Sequence, residues 1–462
     1  MKIDFLCRDD NNTRLILIYA GWSAGPSIAA DVRMEGWDVA VVHDFTDLCL
    51  DVSFLQGYYT VYLFAWSLGV YAASVTLPSD RVTAAFAING TLSPVDDSHG
   101  IPAAVFRGTA AGLDARNLMK FRMRMMSGRS EWEERKYLFD DVADSDRIEN
   151  LRHQLEVVDN ACVDDAGRGA LPWVRAYIGE DDRIFPAVNQ KKAWSLDPDV
   201  ETVTIKAPHY VDISGIIRGV IADPQKVSQK FSKASVTYDT HAIAQYSAAI
   251  KLADKLREAS PGTGGDVLEI GCGTGLFTRE YARVLQPARA TFVDITETGP
   301  FDIAPEERYV VEDAERWIER QADNSHDVIV SASCIKWFAD IPRFLRNCSR
   351  CLRPGGVIAV STFLPGNMEE LDTLRPSPMI YPKADKLRSW LEPWFDEIGI
   401  TEDCIRVEFR SVREMLMHLK HTGVGGSAPS GGLTVSAMSG LRSLTYRPVY
   451  ITARSRKRNI QA

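Results

Sequence analysis

Short apolar runs recur along this chain, separated by small-residue or amphipathic stretches. Those at 14–19, 37–43, 60–64, 173–178 and 202–205 read as strands in the first half. A second set stands at 267–270, 290–294, 309–311, 327–331 and 357–360, the last one entered through a Pro354-Gly355-Gly356 turn. Helical stretches stand between them, at 70–75, at 238–256 and from Leu276 onward. Strands alternating with helices predict an α/β protein with parallel sheets. The rhythm breaks twice. A long insertion separates Asn89-Gly90-Thr91 from Trp173, and a polar, basic stretch from Lys226 to Ser235 follows a boundary near Asp223. Two domains are expected, 1–222 and 223–462, as suits a chain of 462 residues. Further on, 423–432 reads as a flexible loop, 446–453 as a closing strand and 454–458 as a frayed basic tail.

Chemistry enters at two strand ends. The run Val267-Leu268-Glu269-Ile270 leads into Gly271-Cys272-Gly273-Thr274-Gly275, a G-x-G-x-G loop at a strand-to-helix turn. Such a loop lets helix N–H groups face a ligand. This spacing resembles the S-adenosylmethionine loop of class I methyltransferases rather than that of dinucleotide oxidoreductases. Asp294 closes the next strand, where a ribose-binding acid belongs, and Asp313 closes the one after, suited to an adenine amino group. With Glu269, Gly271, Gly273, Gly275 and Ser331 they make the candidate cofactor set, for a class I, Rossmann-like fold binding S-adenosylmethionine.

In the first half, strand 60–64 runs into Ala65-Trp66-Ser67-Leu68-Gly69 and a helix. A serine in a sharp turn between strand and helix is the nucleophile elbow of an α/β-hydrolase, here with Ala65 where the pattern has glycine. Asp182 (or its neighbour Asp181) follows strand 173–178, and His209 follows strand 202–205, which is the chain order of that fold. In such a triad His209 takes the Ser67 proton and the acid orients the imidazole. Backbone N–H groups of Leu68 and of the turn at Trp22 are the candidate oxyanion hole. The insertion becomes a cap over the serine. It carries Arg107, Arg116, Lys120, Arg122, Arg124 and Arg129 against Asp114, a basic patch for an acidic partner.

Charge and cysteines narrow the classes. A net charge of −9 argues against broad nucleic-acid or anionic-membrane binding. The first ten residues lack the apolar core of a signal peptide, and no run nears the ~20 residues of a membrane span. Eight scattered cysteines make no disulfide framework, and Cys348-x-x-Cys351 lacks the partners of a zinc site. A cytoplasmic protein with no metal is expected.

On these residues the chain resembles two families joined end to end. The first 222 residues are similar to the BioG family of pimeloyl-acyl-carrier-protein methyl ester esterases. The likeness runs through Ala20-Gly21-Trp22, the Ala65–Gly69 elbow, Asn89-Gly90-Thr91, Asp96 to Pro102, Arg183-Ile184-Phe185 and His209-Tyr210. The remainder resembles the BioC family of malonyl-acyl-carrier-protein O-methyltransferases, through Phe231-Ser232-Lys233-Ala234, Tyr238, the glycine loop, Trp337 and Leu419 to Gly423. The resemblance implies acyl carrier protein as the carrier of both substrates, and Tyr238 and Lys420 as borders of the acceptor pocket. It also implies a cycle in which a methyl ester masks a carboxylate during chain elongation and is later removed. The rival reading is a general serine carboxylesterase fused to a small-molecule O-methyltransferase.

Overall fold

A computed structural model describes residues 1–139, 144–163, 170–260, 265–372, 374, 379–422, 435–436 and 438–456. The chain divides into two units, Met1–Ile217 and Arg218–Ala462.

The first unit is built on a seven-stranded sheet in the order β1-β3-β2-β4-β5-β6-β7. Its strands are β1 (Lys2–Cys7), β2 (Arg14–Tyr19), β3 (Asp38–His43), β4 (Thr60–Trp66), β5 (Ala84–Ile88), β6 (Trp173–Gly179) and β7 (Glu201–Ile205). All neighbours pair in parallel except the edge pair β1 and β3. The central strands are buried along nearly their whole length, which explains why they read as unbroken apolar runs. Helix α1 (Leu68–Thr76) follows β4. The insertion between β5 and β6 folds as α2 (Ala103–Ala111), α3 (Ala115–Met125), α4 (Arg129–Arg135) and α5 (Ser145–Val163). Helix α6 (Ala187–Trp194) follows β6, and the boundary after Ile217 falls within α7 (Ile213–Val220).

The second unit opens with two helices, α8 (Pro224–His241) and α9 (Ile243–Ala259), before its first strand. The segment from Lys226 to Ser235, polar in sequence, belongs to α8, capped by the Asp223 carboxylate on the N–H groups of Gln225 and Lys226. Strands and helices then alternate: β8 (Asp266–Ile270), α10 (Thr278–Leu285), β9 (Arg289–Asp294), β10 (Glu306–Val311), α11 (Ala314–Glu319), β11 (His326–Ala332), α12 (Ile341–Cys351) and β12 (Leu352–Phe363). The remaining elements are α13 (Ala384–Leu391), β13 (Phe395–Glu402), β14 (Ile405–Glu408), α14 (Val412–His421), β15 (Ser443–Tyr446) and β16 (Pro448–Ser455). The main sheet runs β10-β9-β8-β11-β12-β16-β13, with β16 antiparallel to both neighbours. Strand order reverses between β8 and β11, so the loops after these two strands face the crevice where open α/β sheets bind ligands.

Apolar layers cover both faces of this sheet, one from α11, α12 and α13, the other from α9 and α10. On α12, Phe344, Leu345, Cys348 and Cys351 form the buried face, so the C-x-x-C pair is core packing. Burying each large side chain contributes roughly 1.5–3 kcal/mol.

Several expectations change in detail. The segment read as one closing strand, 446–453, is two, since β15 ends at Tyr446 and β16 begins at Pro448. Arg454 and Arg456 are not frayed. Arg454 donates to Gly355 O and Ala259 O, and Arg456 to Pro393 O and Glu392 O. The loop expected at 423–432 and Lys457-Arg458 lie outside the described residues. Among the described residues, no helix is long and apolar enough to cross a membrane.

Candidate active sites

Ser67 sits between β4 and α1 with φ 59 and ψ −128, a backbone conformation that an L side chain rarely adopts. Such strain persists only where the surroundings enforce it. Close packing does so here: a Cβ on Gly69 would lie 2.6 Å from Tyr19 O, so only glycine lets α1 approach β2. The hydroxyl Oγ lies 2.9 Å from His209 Nε2, and His209 Nδ1 lies 2.9 Å from Asp182 Oδ2. Of the two candidate acids, Asp182 is the one that meets the imidazole. Its Oδ1 accepts the N–H groups of Ile184 and Phe185, and its Oδ2 also accepts from Gln190 Nε2. With the imidazole, four hydrogen-bond partners thus fix the position of the carboxylate.

The histidine is positioned as firmly. Its ring lies between Trp66, at 5.4 Å, and Phe185, stacked at 6.0 Å. Its carbonyl accepts from Trp66 Nε1 at 3.0 Å and from Asn89 Nδ2 at 2.8 Å. Asn89 also donates to Pro208 O and accepts the Gly179 N–H, so one buried amide ties the ends of β5 and β6 to the histidine loop.

A pocket opens at Ser67, walled by Trp22, Ile101, Val105, Phe106, Phe121 and Leu155, with Arg124 and Arg183 also lining it. The cap forms most of the apolar wall. Trp22 is fixed to it, donating Nε1–H to Leu151 O and meeting Phe121 edge-on at 4.9 Å. The turn at Gly21 passes so close to Ser67 that a Cβ there would come within 3.0 Å of the serine Cβ. Trp22 and Leu68 both line the pocket beside the nucleophile.

The basic cap residues divide. Arg116, Lys120 and Arg124 are exposed, and none has a carboxylate partner among the described residues. Arg107 is exposed but paired with Asp159 on α5. Arg122 departs from the expected surface patch. It is 3% exposed, donates to Ser23 O and lies over the Phe139 ring, so it holds the Trp22 turn and is withdrawn from any partner.

In the second unit Gly271, Gly273 and Gly275 have φ values of 70, 51 and 78. Gly271 has no room for a side chain, since a Cβ would meet Cys334 Sγ at 2.3 Å. Asp294 lies beside the loop: its Oδ2 accepts the Gly273 N–H and its Oδ1 accepts Thr296 N and Oγ1. Asp313, at the end of the neighbouring strand, caps α11 through the Glu315 N–H. Ser331 Oγ is buried at the end of β11 with no hydrogen-bond partner among the described residues. Glu269 does something else. Its carboxylate is buried beneath the loop, bonded by Thr278 Oγ1 and Tyr281 OH, and burial raises it to about 7. It braces the turn into α10.

Asp239 hooks α8 over the loop by accepting from Thr274 Oγ1 and Arg279. Tyr238, its neighbour, has its phenol pushed up by burial and faces Phe231, which in turn meets Trp337 edge-on. Lys420 is exposed at the end of α14, whose buried face is Val412, Met415, His418 and Leu419. His418 bonds Tyr446 OH at 2.6 Å, and His421 stacks on His241.

Comparison with known proteins agrees with this division. The family described as pimeloyl-ACP methyl esterase BioG matches residues 1–213, and a methyltransferase domain family matches residues 242–399. A malonyl-[acyl-carrier protein] O-methyltransferase of Bacteroides fragilis is 30% identical over 96% of this chain and 93% of its own length. The chain belongs to the malonyl-[acyl-carrier protein] O-methyltransferase family. Within that family it carries the BioG-type unit in front of its methyltransferase unit. The biotin biosynthesis bifunctional protein BioCD of Bordetella avium is 32% identical over 45% of this chain and 45% of its own length. A solved structure of BioG from Haemophilus influenzae is 31% identical, covering 46% of this chain and 95% of that one, with a TM-score of 0.42.

Asn89, Gln190 and Asn189 are functional supports of this family member to which sequence reasoning assigned no role. Asn189 donates to Asp97 O and Gly100 O, holding the 96–101 turn that delivers Ile101 to the pocket. Asn89 shows in sequence only as a polar residue next to a strand end, and Asn189 and Gln190 only as amides within α6, both of which are common elsewhere.

Proposed function

We propose that this chain is a bifunctional enzyme of biotin biosynthesis acting on carrier-protein thioesters at both sites. The methyltransferase unit methylates the free carboxyl of malonyl-acyl-carrier protein. The hydrolase unit cleaves pimeloyl-acyl-carrier protein methyl ester to the free acid and methanol. One observation carries the reading: the Ser67–His209–Asp182 relay shares a chain with a glycine loop, and that chain matches a malonyl-[acyl-carrier protein] O-methyltransferase along nearly its whole length.

In hydrolysis, Ser67 Oγ attacks the ester carbonyl while His209 Nε2 takes its proton and Asp182 stabilises the imidazolium. The tetrahedral oxyanion is received by the N–H groups of Leu68 and Trp22. His209 returns the proton to the departing methanol, and water repeats the sequence on the acyl-serine. The apolar pocket accepts the methylenes of a pimeloyl chain, while Arg124, Arg183, Arg116 and Lys120 suit an acidic carrier protein.

In the other unit, the positive-φ glycines, the acids Asp294 and Asp313 and the unsatisfied Ser331 Oγ fit S-adenosylmethionine. That co-substrate supplies a methyl group on a sulfonium. A malonyl carboxylate is ionised at pH 7, its ordinary pKa being near 4, so no general base is required of the protein. What the chain contributes is placement and exclusion of water, through α8 hooked at Asp239 and the aromatic group of Phe231, Tyr238 and Trp337.

Two variants of the full chain test the assignment. Ser67→Ala is expected to abolish ester hydrolysis and leave methyl transfer within about threefold. Asp294→Ala is expected to weaken S-adenosylmethionine binding by ~1.5–3 kcal/mol, the range for a hydrogen bond to a charged group. Turnover of small esters and small acids as good as that of carrier-bound substrates would overturn the carrier-protein reading.

A further inference from the structure

Lys336 stands on the turn after β11, two residues past Cys334, whose thiol fills the space beside Gly271. It is therefore at the point where strand order reverses, next to the loop assigned to the co-substrate. Its side chain is half-buried, and its ammonium has neither a carboxylate nor a hydrogen-bond acceptor among the described residues. Rings surround it instead. Nζ lies 4.7 Å from the centre of the Phe363 ring and 5.6 Å from that of Trp337. Trp337 is met edge-on by Phe231, and Phe231 by Tyr238, while Phe363 is met by Tyr446 at 6.2 Å. Cys334 links the lysine to the co-substrate side, because its thiol, pushed up mainly by burial, also feels the carboxylates of Asp294 and Asp313.

A partly desolvated cation without a counter-ion is unfavourable, and ring faces offset only part of that cost. Desolvation shows in the lysine itself, whose pKa is brought down to about 8. A site of this make-up is completed by an anion that arrives with the substrate. We propose that Lys336 binds the free carboxylate of the acceptor and so selects acyl chains that end in an acid. The inference rests on the methyltransferase reading above.

Charge changes during the reaction give the proposal a kinetic signature. The carboxylate oxygen forms a bond to the methyl carbon as the carbon–sulfur bond breaks, and the electron pair stays on sulfur. Carboxylate and sulfonium thereby both become neutral. The attraction between Lys336 and the carboxylate is strongest before transfer, weaker in the transition state and lost in the ester. It lowers KM without raising kcat, and it favours release of product over rebinding.

The test uses the full chain with malonyl-acyl-carrier protein, following S-adenosylhomocysteine rather than ester so that the hydrolase unit cannot erase the product. Lys336→Met is expected to raise KM for the carrier substrate tenfold or more, with kcat within threefold of wild type. S-Adenosylhomocysteine affinity by calorimetry should stay within twofold, and ester hydrolysis by the same preparation should be unchanged. Lys336→Arg, which keeps the charge, is expected to hold KM within about threefold. An unchanged KM in Lys336→Met overturns the inference, and so does a parallel loss of S-adenosylhomocysteine affinity, which would make the lysine a support of the loop. A wild-type chain that transfers no methyl group to malonyl-acyl-carrier protein would refute the functional reading, and the inference with it.

Discussion

Asn89→Ala separates the positioning of the catalytic histidine from its chemistry. The amide makes three bonds, to Pro208 O at 3.0 Å, His209 O at 2.8 Å and from Gly179 N at 2.7 Å, and the residue is wholly buried. Each such bond contributes about 1 kcal/mol net, and a cavity-lining donor left bare at Gly179 adds to the loss. The backbone at Asn89 has φ 45, a left-handed value that asparagine tolerates and alanine resists by about 1 kcal/mol. The sum is a destabilisation of roughly 3–5 kcal/mol for the first unit. Catalysis should suffer less than that figure suggests, because Trp66 Nε1 still holds the His209 carbonyl at 3.0 Å. A loop that loses two of the three side-chain hydrogen bonds to its Pro208 and His209 carbonyls drifts by a fraction of an ångström, and kcat is expected to fall about ten- to a hundredfold. Thermal unfolding gives the first quantity and hydrolysis of a short soluble ester the second, with methyl transfer by the same chain as the unaffected control. A variant with wild-type melting and kcat would show that the amide network does not position the triad.

Glu269→Gln tests the brace under the glycine loop. The folded-state carboxyl titrates near 7 against 4.5 unfolded, so the unfolded chain holds fewer protons between those values and stability falls as pH rises through them. The variant should be more stable than wild type at pH 8 by about 3 kcal/mol, with the difference gone below pH 4.5; a pH-independent difference in urea unfolding would refute this. Among the cap cations, reversing Arg116 and Arg124 is expected to raise KM for carrier-bound ester steeply at low salt and spare a small ester, whereas reversing buried Arg122 should destabilise the unit. Equal effects on both substrates would mean that Arg116 and Arg124 form a merely solvated face. The hydrolase must also spare the malonyl ester made by the other unit. A pimeloyl chain adds roughly four methylenes at ~0.8 kcal/mol each, so about 200-fold in kcat/KM for the isolated ester pair; a ratio near one would refute length discrimination.

Both reaction centres were legible because each is a strand end followed by a turn that only certain residues permit. Ser67 after β4 and the glycines after β8 announce themselves in this way, and His209 and Asp182 follow from chain order. Strand β5 was missed because Ala84–Ile88 is mostly alanine, with little strand propensity, and is held by burial between β4 and β6. Edge strand β1 was missed because it is half-exposed and broken by Asp4. Arg122 could not be told from Arg124, since two residues apart on α3 they face opposite environments, and the sequence of the cap does not say which face meets Trp22. Lys336 was invisible for a related reason: one lysine beside a tryptophan is ordinary until the rings of distant segments close around it.

The place of β16 bears on how the protein is made. The hydrolase sheet is complete once β7 ends at Ile205, and its histidine emerges four residues later. The methyltransferase sheet cannot close until Pro448–Ser455 arrive, because that strand alone joins β12 to β13. During translation the first unit can therefore fold on the ribosome and become an esterase while the second still waits, its β12 edge unpaired. Truncation behind residue 447 is therefore expected to leave ester hydrolysis and remove methyl transfer, so the two activities of one polypeptide are born at different times.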